Sequence, residues 1–428
     1  MTGRPGAAGD DEPRTLRARW VFPGAGPPLR AGRVAIAGGR VVAVDDRPAE
    51  VGELDLGDAA IVPGFVNAHT HLELGPIPRD EADGPEDEVA WLGQVIRSRV
   101  DRTPADVDAL IRRNLAAAIA AGTTALGDIT TAGQSWAAVA GSPVRGTVFA
   151  EILGLSPARS RATWREALAW LVARRADAPG AVRAGLSPHA PYSTAGWLYA
   201  GAAAAGVPLA THLGEMPAER EFLSASRSGP LREFVAGLGA WVDDWMPLGR
   251  SPVDYATWYP PPLDRADWII AHGNILEPDE YARLVADRSD PAARRFAVAY
   301  CPRTHARFGH PPHPFRGMLA AGVVVCLGTD SLASSPTLSI LDELRFLRRR
   351  HPDVPPATLL AMATANGAWA LRLDDGAGTL APGHAADLAV LPLTAAEPAD
   401  PHDAWLRGDA PPLATMVRGR FVAGRWAS

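Results

Sequence analysis

The 428-residue sequence contains no lysine; all 42 of its cationic side chains are arginine. A GC-rich codon bias accounts for this, and the chemical consequence is strict. There can be no lysine Schiff base, no lysine general base and no carboxylated lysine bridging two metal ions. Cysteine is nearly as scarce. Cys301 and Cys326 cannot build a disulfide framework, and both lie in apolar runs that read as sites of buried thiols. No run of about 20 apolar residues occurs, so no membrane helix is expected. The opening MTGRPGAAGDDEPRTLRARW has acids and prolines where a secretory leader needs an apolar stretch. A cytoplasmic protein is expected. The net charge is -6 and no basic stripe breaks it, which argues against nucleic acid and for a small-molecule partner.

What is present is a globular composition, 47% hydrophobic and 21% charged, long enough for a large core. Residues 1–12 read as a loose polar tail. From about Leu16 to Ile61 the pattern is short strands and turns, with Gly38–Gly39 as a turn pair. After Pro63 eight apolar strand-like runs alternate with helical stretches. The strands are read at Phe65–His69, Thr123–Ile129, Arg145–Leu153, Val182–Ser187, Leu209–Leu213, Trp268–His272, Phe296–Cys301 and Val323–Thr329. Eight such units over roughly 300 residues predict an α/β fold, a (β/α)8 TIM barrel over residues 63–373. A doubly wound sheet is the alternative, but its glycine-rich phosphate loop is missing. Short strands return from about Gly376, so residues 13–62 and 374–428 are expected to form one small β-sandwich domain from both chain termini. Residues 229–264 break the alternation. They are rich in proline and aromatics and read either as a lid or as a surface insertion.

Several of the 11 histidines fall at the ends of the predicted strands, where barrel active sites lie. His69 and His71, in VPGFVNAHTHLEL, are two apart on a strand and so share a face. His212 ends the strand in PLATHLGEM, with Glu215 three residues on. His272 ends WIIAH, and Asp330 closes VVVCLGTDS. Taken alone, His272 reads as a core histidine, Asp330 as a helix cap and Glu215 as a residue of a helix-opening turn. Together, His69, His71, His212 and Asp330 project from strands one, five and eight, with strands one and eight adjacent in a closed barrel. Three nitrogens and a carboxylate suit a hydrolytic metal site.

The segments VPGFVNAHTHLEL, LSPHAPYST, THLGEMPAERE, IIAHGN, CPRTH and LGTDSLASSPTLSILDEL, with the tail GTLAPGHAADLAVL, resemble the amidohydrolase superfamily. They look most like its cytosine-deaminase and chlorohydrolase branch, which includes adenosine, S-adenosylhomocysteine and aminodeoxyfutalosine deaminases. The resemblance covers nearly the whole chain. It implies one divalent metal, zinc with iron as the alternative, held by His69, His71, His212 and Asp330. It implies that Asp330 takes a proton from the attacking water, that Glu215 carries a proton to a ring nitrogen, and that His272 orients the water. His189, in SPHAPYS, resembles a substrate contact; Arg303, in CPRTH, is a weaker candidate for substrate or loop positioning. Glu73 either faces the site or is a strand-end carboxylate. Without lysine, and with Ser187 and His189 on strand four, one metal is the reading.

The activity so implied is hydrolytic deamination of an aminated heterocycle. An aminopurine nucleoside-like compound is the first expectation, with aminodeoxyfutalosine as the named instance. The alternatives are a triazine, guanine, pterin or cytosine at the same site, or a non-catalytic scaffold on the same fold. The resemblance also suggests a homodimer.

Overall fold

The computed structural model describes residues 13–79, 85–175, 177, 180–226, 228–242, 249–257, 266–286, 294–394 and 398–427. The tail read at residues 1–12 lies outside them, as do parts of the 229–264 insertion. Eight parallel strands follow one another in a single sheet: β1 (Phe65–Thr70), β2 (Thr123–Thr131), β3 (Arg145–Ile152), β4 (Val182–Pro188), β5 (Leu209–Leu213), β6 (Trp268–His272), β7 (Phe296–Tyr300) and β8 (Val324–Leu327). A parallel bridge between Thr70 and Asp330 joins β1 to the end of β8 and closes the barrel. Every residue of β3, β5, β6, β7 and β8 is buried. That is why these strands appear in the sequence as continuous apolar runs rather than alternating ones.

Local signals fix the helices between them. Asp87 caps the helix Glu88–Arg99 by accepting the N–H groups of Val89 and Ala90 at 2.9 and 3.1 Å. Thr103 and Asp106 form a reciprocal capping box ahead of Pro104–Ala120. The insertion contributes two short helices, Pro230–Gly237 and Pro252–Thr257, each opened by a proline. Tyr255 anchors the second by donating its hydroxyl to the Thr194 carbonyl at 2.6 Å.

Both ends of the chain build the flanking β layer. A six-stranded sheet runs Arg420–Gly424, Ala414–Val417, Leu388–Pro392, Ala59–Pro63, Trp20–Val21, Leu29–Arg30, so three C-terminal strands join three N-terminal ones where Leu388–Pro392 pairs with Ala59–Pro63. A four-stranded sheet of N-terminal strands includes the hairpin Arg33–Ala37 with Arg40–Asp45. Gly38 and Gly39 turn that hairpin at φ 55° and 71°, a conformation that side chains with a Cβ resist. Leu16, Val34, Ile61, Leu388, Val390 and Met416 form the core of this layer. Arg145, at the start of β3, ties it to the barrel by ion pairs to Asp375 and Asp387 at 2.6 and 2.5 Å. Cys301 and Cys326 are both free and buried. Among the described residues no helix is long and apolar enough to cross a membrane.

Candidate active site

The C-terminal end of the barrel gathers four histidines from three strands. His69 is next to last in β1 with His71 just after the strand, His212 lies in β5, and His272 ends β6. All four are buried. The Nε2 atoms of His71 and His212 are 3.1 Å apart, and the ring centroids of His69 lie 5.0 Å from His71 and 5.1 Å from His212. Asp330 Oδ1 is 3.7 Å from Nε2 of both His69 and His71.

The backbone holds this arrangement rigidly. Asp330 sits at φ 55°, a left-handed conformation uncommon for a residue with a side chain. Its N–H donates to the His69 carbonyl at 3.2 Å, and its own carbonyl accepts the Thr70 hydroxyl at 2.9 Å. The Ser334 hydroxyl donates to Oδ2 at 2.5 Å, which leaves Oδ1 turned toward the histidines. A Cβ on Gly328 would stand 2.9 Å from both Cβ and the carbonyl oxygen of His69, so only glycine lets β8 pass this close to β1.

These residues fit a divalent ion. Burial holds the imidazoles of His69 and His212 neutral, their pKa values pushed down to about 3, and pushes His71 down as well. Neutral imidazole nitrogens are metal donors. His212 Nδ1 donates to the His189 carbonyl at 2.9 Å, so its Nε2 carries the free lone pair. Both ring nitrogens of His69 are buried with no hydrogen-bond partner. A buried imidazole is left so only at some cost, which a bound cation removes.

Glu215 lies beside this cluster, 5% exposed, rather than on the protein surface as a helix-opening carboxylate would. Its Oε1 is 3.3 Å from His272 Nε2, and its Oε2 accepts the Tyr192 hydroxyl at 3.1 Å. Burial pushes its pKa up to about 7; nearby Asp330 adds to this, while His212 and the Tyr192 hydroxyl act against it. His272 adopts φ 69°, and its Nε2 has no hydrogen-bond partner, unlike a core histidine tied to backbone. Its carbonyl accepts from His313 Nε2 at 2.8 Å.

A cavity of about 500 Å³ opens above, lined by His71, His212, Glu215 and Asp330 at its floor. His189 lines it too, with Nδ1 2.6 Å from the Ser193 hydroxyl. Much of the wall is apolar, including Leu74, Trp91, Val95, Leu155 and Phe234. Phe234 belongs to the insertion helix Pro230–Gly237, so the described part of the insertion lines the cavity.

Two candidate residues, Glu73 and Arg303, do not line this cavity. Glu73 is buried, and its carboxylate is used up by the Thr130 and Thr131 hydroxyls, the Thr131 N–H and Arg99. It holds Arg99 in the cavity wall and does not line the cavity itself. Arg303 pairs with Glu343 at 2.7 Å and donates to the carbonyl and hydroxyl of Thr337 at 2.9 and 2.8 Å. It ties its loop to Glu343 and Thr337 and is not part of the cavity lining. Residues the sequence did not single out also line the cavity, notably Glu151, Tyr192 and Arg99. Glu151 is next to last in its strand, the same strand-end signal that singled out the histidines.

Residues 60–422 match the family described as Amidohydrolase family. A 5-methylthioadenosine/S-adenosylhomocysteine deaminase of Natronomonas pharaonis is 31% identical over 401 residues, covering 90% of this chain and 84% of the relative. An aminodeoxyfutalosine deaminase of Deinococcus radiodurans is 29% identical over 389 residues, covering 83% and 84%. The crystal structure of Helicobacter pylori aminofutalosine deaminase with methylthio-coformycin superposes with a TM-score of 0.78 at 22% identity, covering 96% of this chain and all of that one.

Proposed function

The chain belongs to the amidohydrolase family, and we propose that it is a hydrolytic deaminase that releases ammonia from an aminopurine nucleoside-like compound, using one divalent ion held by His69, His71, His212 and Asp330. The observation that carries this reading is the position of Glu215, a buried carboxyl between Tyr192 at 3.1 Å and His272 at 3.3 Å beside the histidine cluster. Three imidazoles and one carboxylate form a donor set that suits zinc. Deaminases among the relatives support the reaction class.

A bound ion supplies Lewis acidity, drawing the pKa of water toward ~7. The rest is work for the side chains. Asp330 takes a proton from the attacking water through Oδ1. His272, through the unpartnered Nε2, orients the oxygen for attack on the ring carbon that bears the amino group. Glu215 places a proton on the adjacent ring nitrogen, which neutralises the charge pushed into the ring. The C–N bond then breaks as the new carbonyl forms: the hydroxyl proton returns to the Glu215 carboxylate, and the amino group leaves as ammonia with the proton first held by Asp330. One water is consumed and one ammonia released.

The cavity favours a substituted compound over a bare ring. Its volume of about 500 Å³ lies in the ~300–1,000 Å³ range of sites for larger ligands, and much of its wall is apolar. The test is ammonia release by zinc-loaded protein from adenosine, 5′-methylthioadenosine, S-adenosylhomocysteine, aminodeoxyfutalosine, guanine, cytosine and a chlorotriazine. Turnover of an adenine nucleoside, lost in Glu215→Gln with zinc still bound, is expected. Turnover confined to a free base or the triazine would overturn the nucleoside reading.

A further inference from the structure

Glu151 is a buried carboxylate with nothing to do inside the protein. It stands near the end of β3, its side chain is 5% exposed, and it lines the cavity. Among the described residues its carboxylate receives no hydrogen bond. The nearest basic atom is His189 Nε2 at 3.9 Å, beyond hydrogen-bond reach. The other nitrogen of His189 is already engaged with Ser193 at 2.6 Å. Buried carboxylates are ordinarily satisfied, so an orphan facing a cavity calls for a partner from outside.

Three kinds of partner are conceivable, and two fit poorly. Ligand atoms of Glu151, His189 and His212 lie within 4.8 Å of one another, which suggests a second metal. His212, however, has Nδ1 on the His189 carbonyl and Nε2 facing His71. Only Glu151 and His189 remain, too few to hold a metal firmly. A cationic ligand group fits little better, because the guanidinium of Arg99 lines the same cavity. A neutral hydroxyl fits. An oxygen ~2.8 Å from both Glu151 and His189 Nε2 spans the 3.9 Å gap, donating to the first and accepting from the second. The second carboxylate oxygen of Glu151 is then open to a neighbouring hydroxyl.

We propose that Glu151, with His189, recognises a vicinal diol on the substrate, between the ring at the cavity floor and the apolar wall beyond. This rests on the nucleoside reading above and makes Glu151 a specificity-determining residue for the sugar.

The experiment compares adenosine with 2′,3′-dideoxyadenosine in wild-type protein and in Glu151→Gln, with zinc content and melting temperature measured for each. A hydroxyl bonded to a carboxylate contributes ~1.5–3 kcal/mol, which is roughly a 10–100-fold preference in kcat/KM. Wild-type protein is expected to favour adenosine by that factor, mainly through KM, and the preference is expected to fall to within about threefold in Glu151→Gln. An equal loss on both substrates would mark Glu151 as structural and overturn the proposal. An unchanged preference in the variant overturns it too, while leaving the deaminase reading intact. If the wild-type protein turns over neither nucleoside nor any other in the panel, both readings fall together.

Discussion

Glu219 holds Glu215 from behind: one oxygen of its carboxyl accepts the Glu215 N–H at 2.9 Å, and the other accepts the Gly214 N–H at 3.1 Å. Glu219 is completely buried, four residues downstream in the helix Pro217–Phe222. The pair fixes the loop after β5, and therefore the place from which Glu215 reaches the cavity. Substituting Glu219→Ala strands two backbone donors, each costing ~1–3 kcal/mol. The expected result is a lower melting temperature and a fall in kcat of about tenfold or more with KM little changed, since in the proposed mechanism the displaced group acts on the reacting ring rather than in binding. Partial recovery of kcat in Glu219→Gln, which keeps one acceptor, would separate positioning from general loss of structure.

Removing the metal donors gives the sharpest test of the cluster. In the double variant His69→Ala/His71→Ala, zinc content by elemental analysis should fall from about one per chain to near zero, with turnover lost alongside. Chelation of the wild-type protein should abolish activity, and added zinc should restore it. Full metal occupancy in the double variant would reject the assignment.

Tyr192 bears on the pH profile. Its hydroxyl donates to Glu215 Oε2, which favours the ionised carboxylate and restrains a pKa that burial pushes up to about 7. Tyr192→Phe removes that donor, so the Glu215 pKa rises further. The limb of the kcat/KM profile set by Glu215 should therefore move to higher pH, and kcat should fall by roughly tenfold. A profile superimposable on that of the wild type would show that this hydroxyl does not govern the shuttle.

Asp128 provides a prediction about stability. One oxygen accepts the Leu72 N–H at 2.8 Å, while the other is buried with no partner. Burial lifts its pKa from 3.8 to about 8. The folded protein thus holds a proton that the unfolded chain releases, and stability declines as pH rises from 3.8 to about 8, levelling off above. Asp128→Asn keeps the acceptor and stays neutral. Between about pH 5 and about pH 8.5 its melting temperature should fall less than that of the wild type. Parallel curves would show that Asp128 does not contribute to the alkaline loss.

The barrel was legible because burial on both faces turns most of its strands into largely apolar runs, with the histidines at or near their C-terminal ends. His69, His212, His272 and Asp330 stood out for that reason. The closing of the β layer by both termini was legible from the return of short strands near Gly376. The alternatives left open for Glu73 and Arg303 could not be narrowed from the sequence, because closeness to a motif says nothing about where a side chain turns; both turn to ion pairs with distant partners, Arg99 and Glu343. Arg99 and Trp91 reach the cavity from the helix Glu88–Arg99, whose position over the barrel no local pattern encodes. The two helices of the insertion run eight and six residues, too short for a helical period to register.

The pairing of Ala59–Pro63 with Leu388–Pro392 also sets a clock on biosynthesis. The earlier strand leaves the ribosome long before its partner is made, and at ~5–20 residues per second the wait is about 15–65 s. Throughout that interval the barrel can assemble in order, each strand meeting the one before it. The segment ahead of it cannot complete its six-stranded sheet. A nascent chain stalled short of Leu388 would therefore carry a nearly finished barrel with an unzipped apolar strand at its front, and protection of that strand, by a chaperone or by speed, becomes part of making this protein at all.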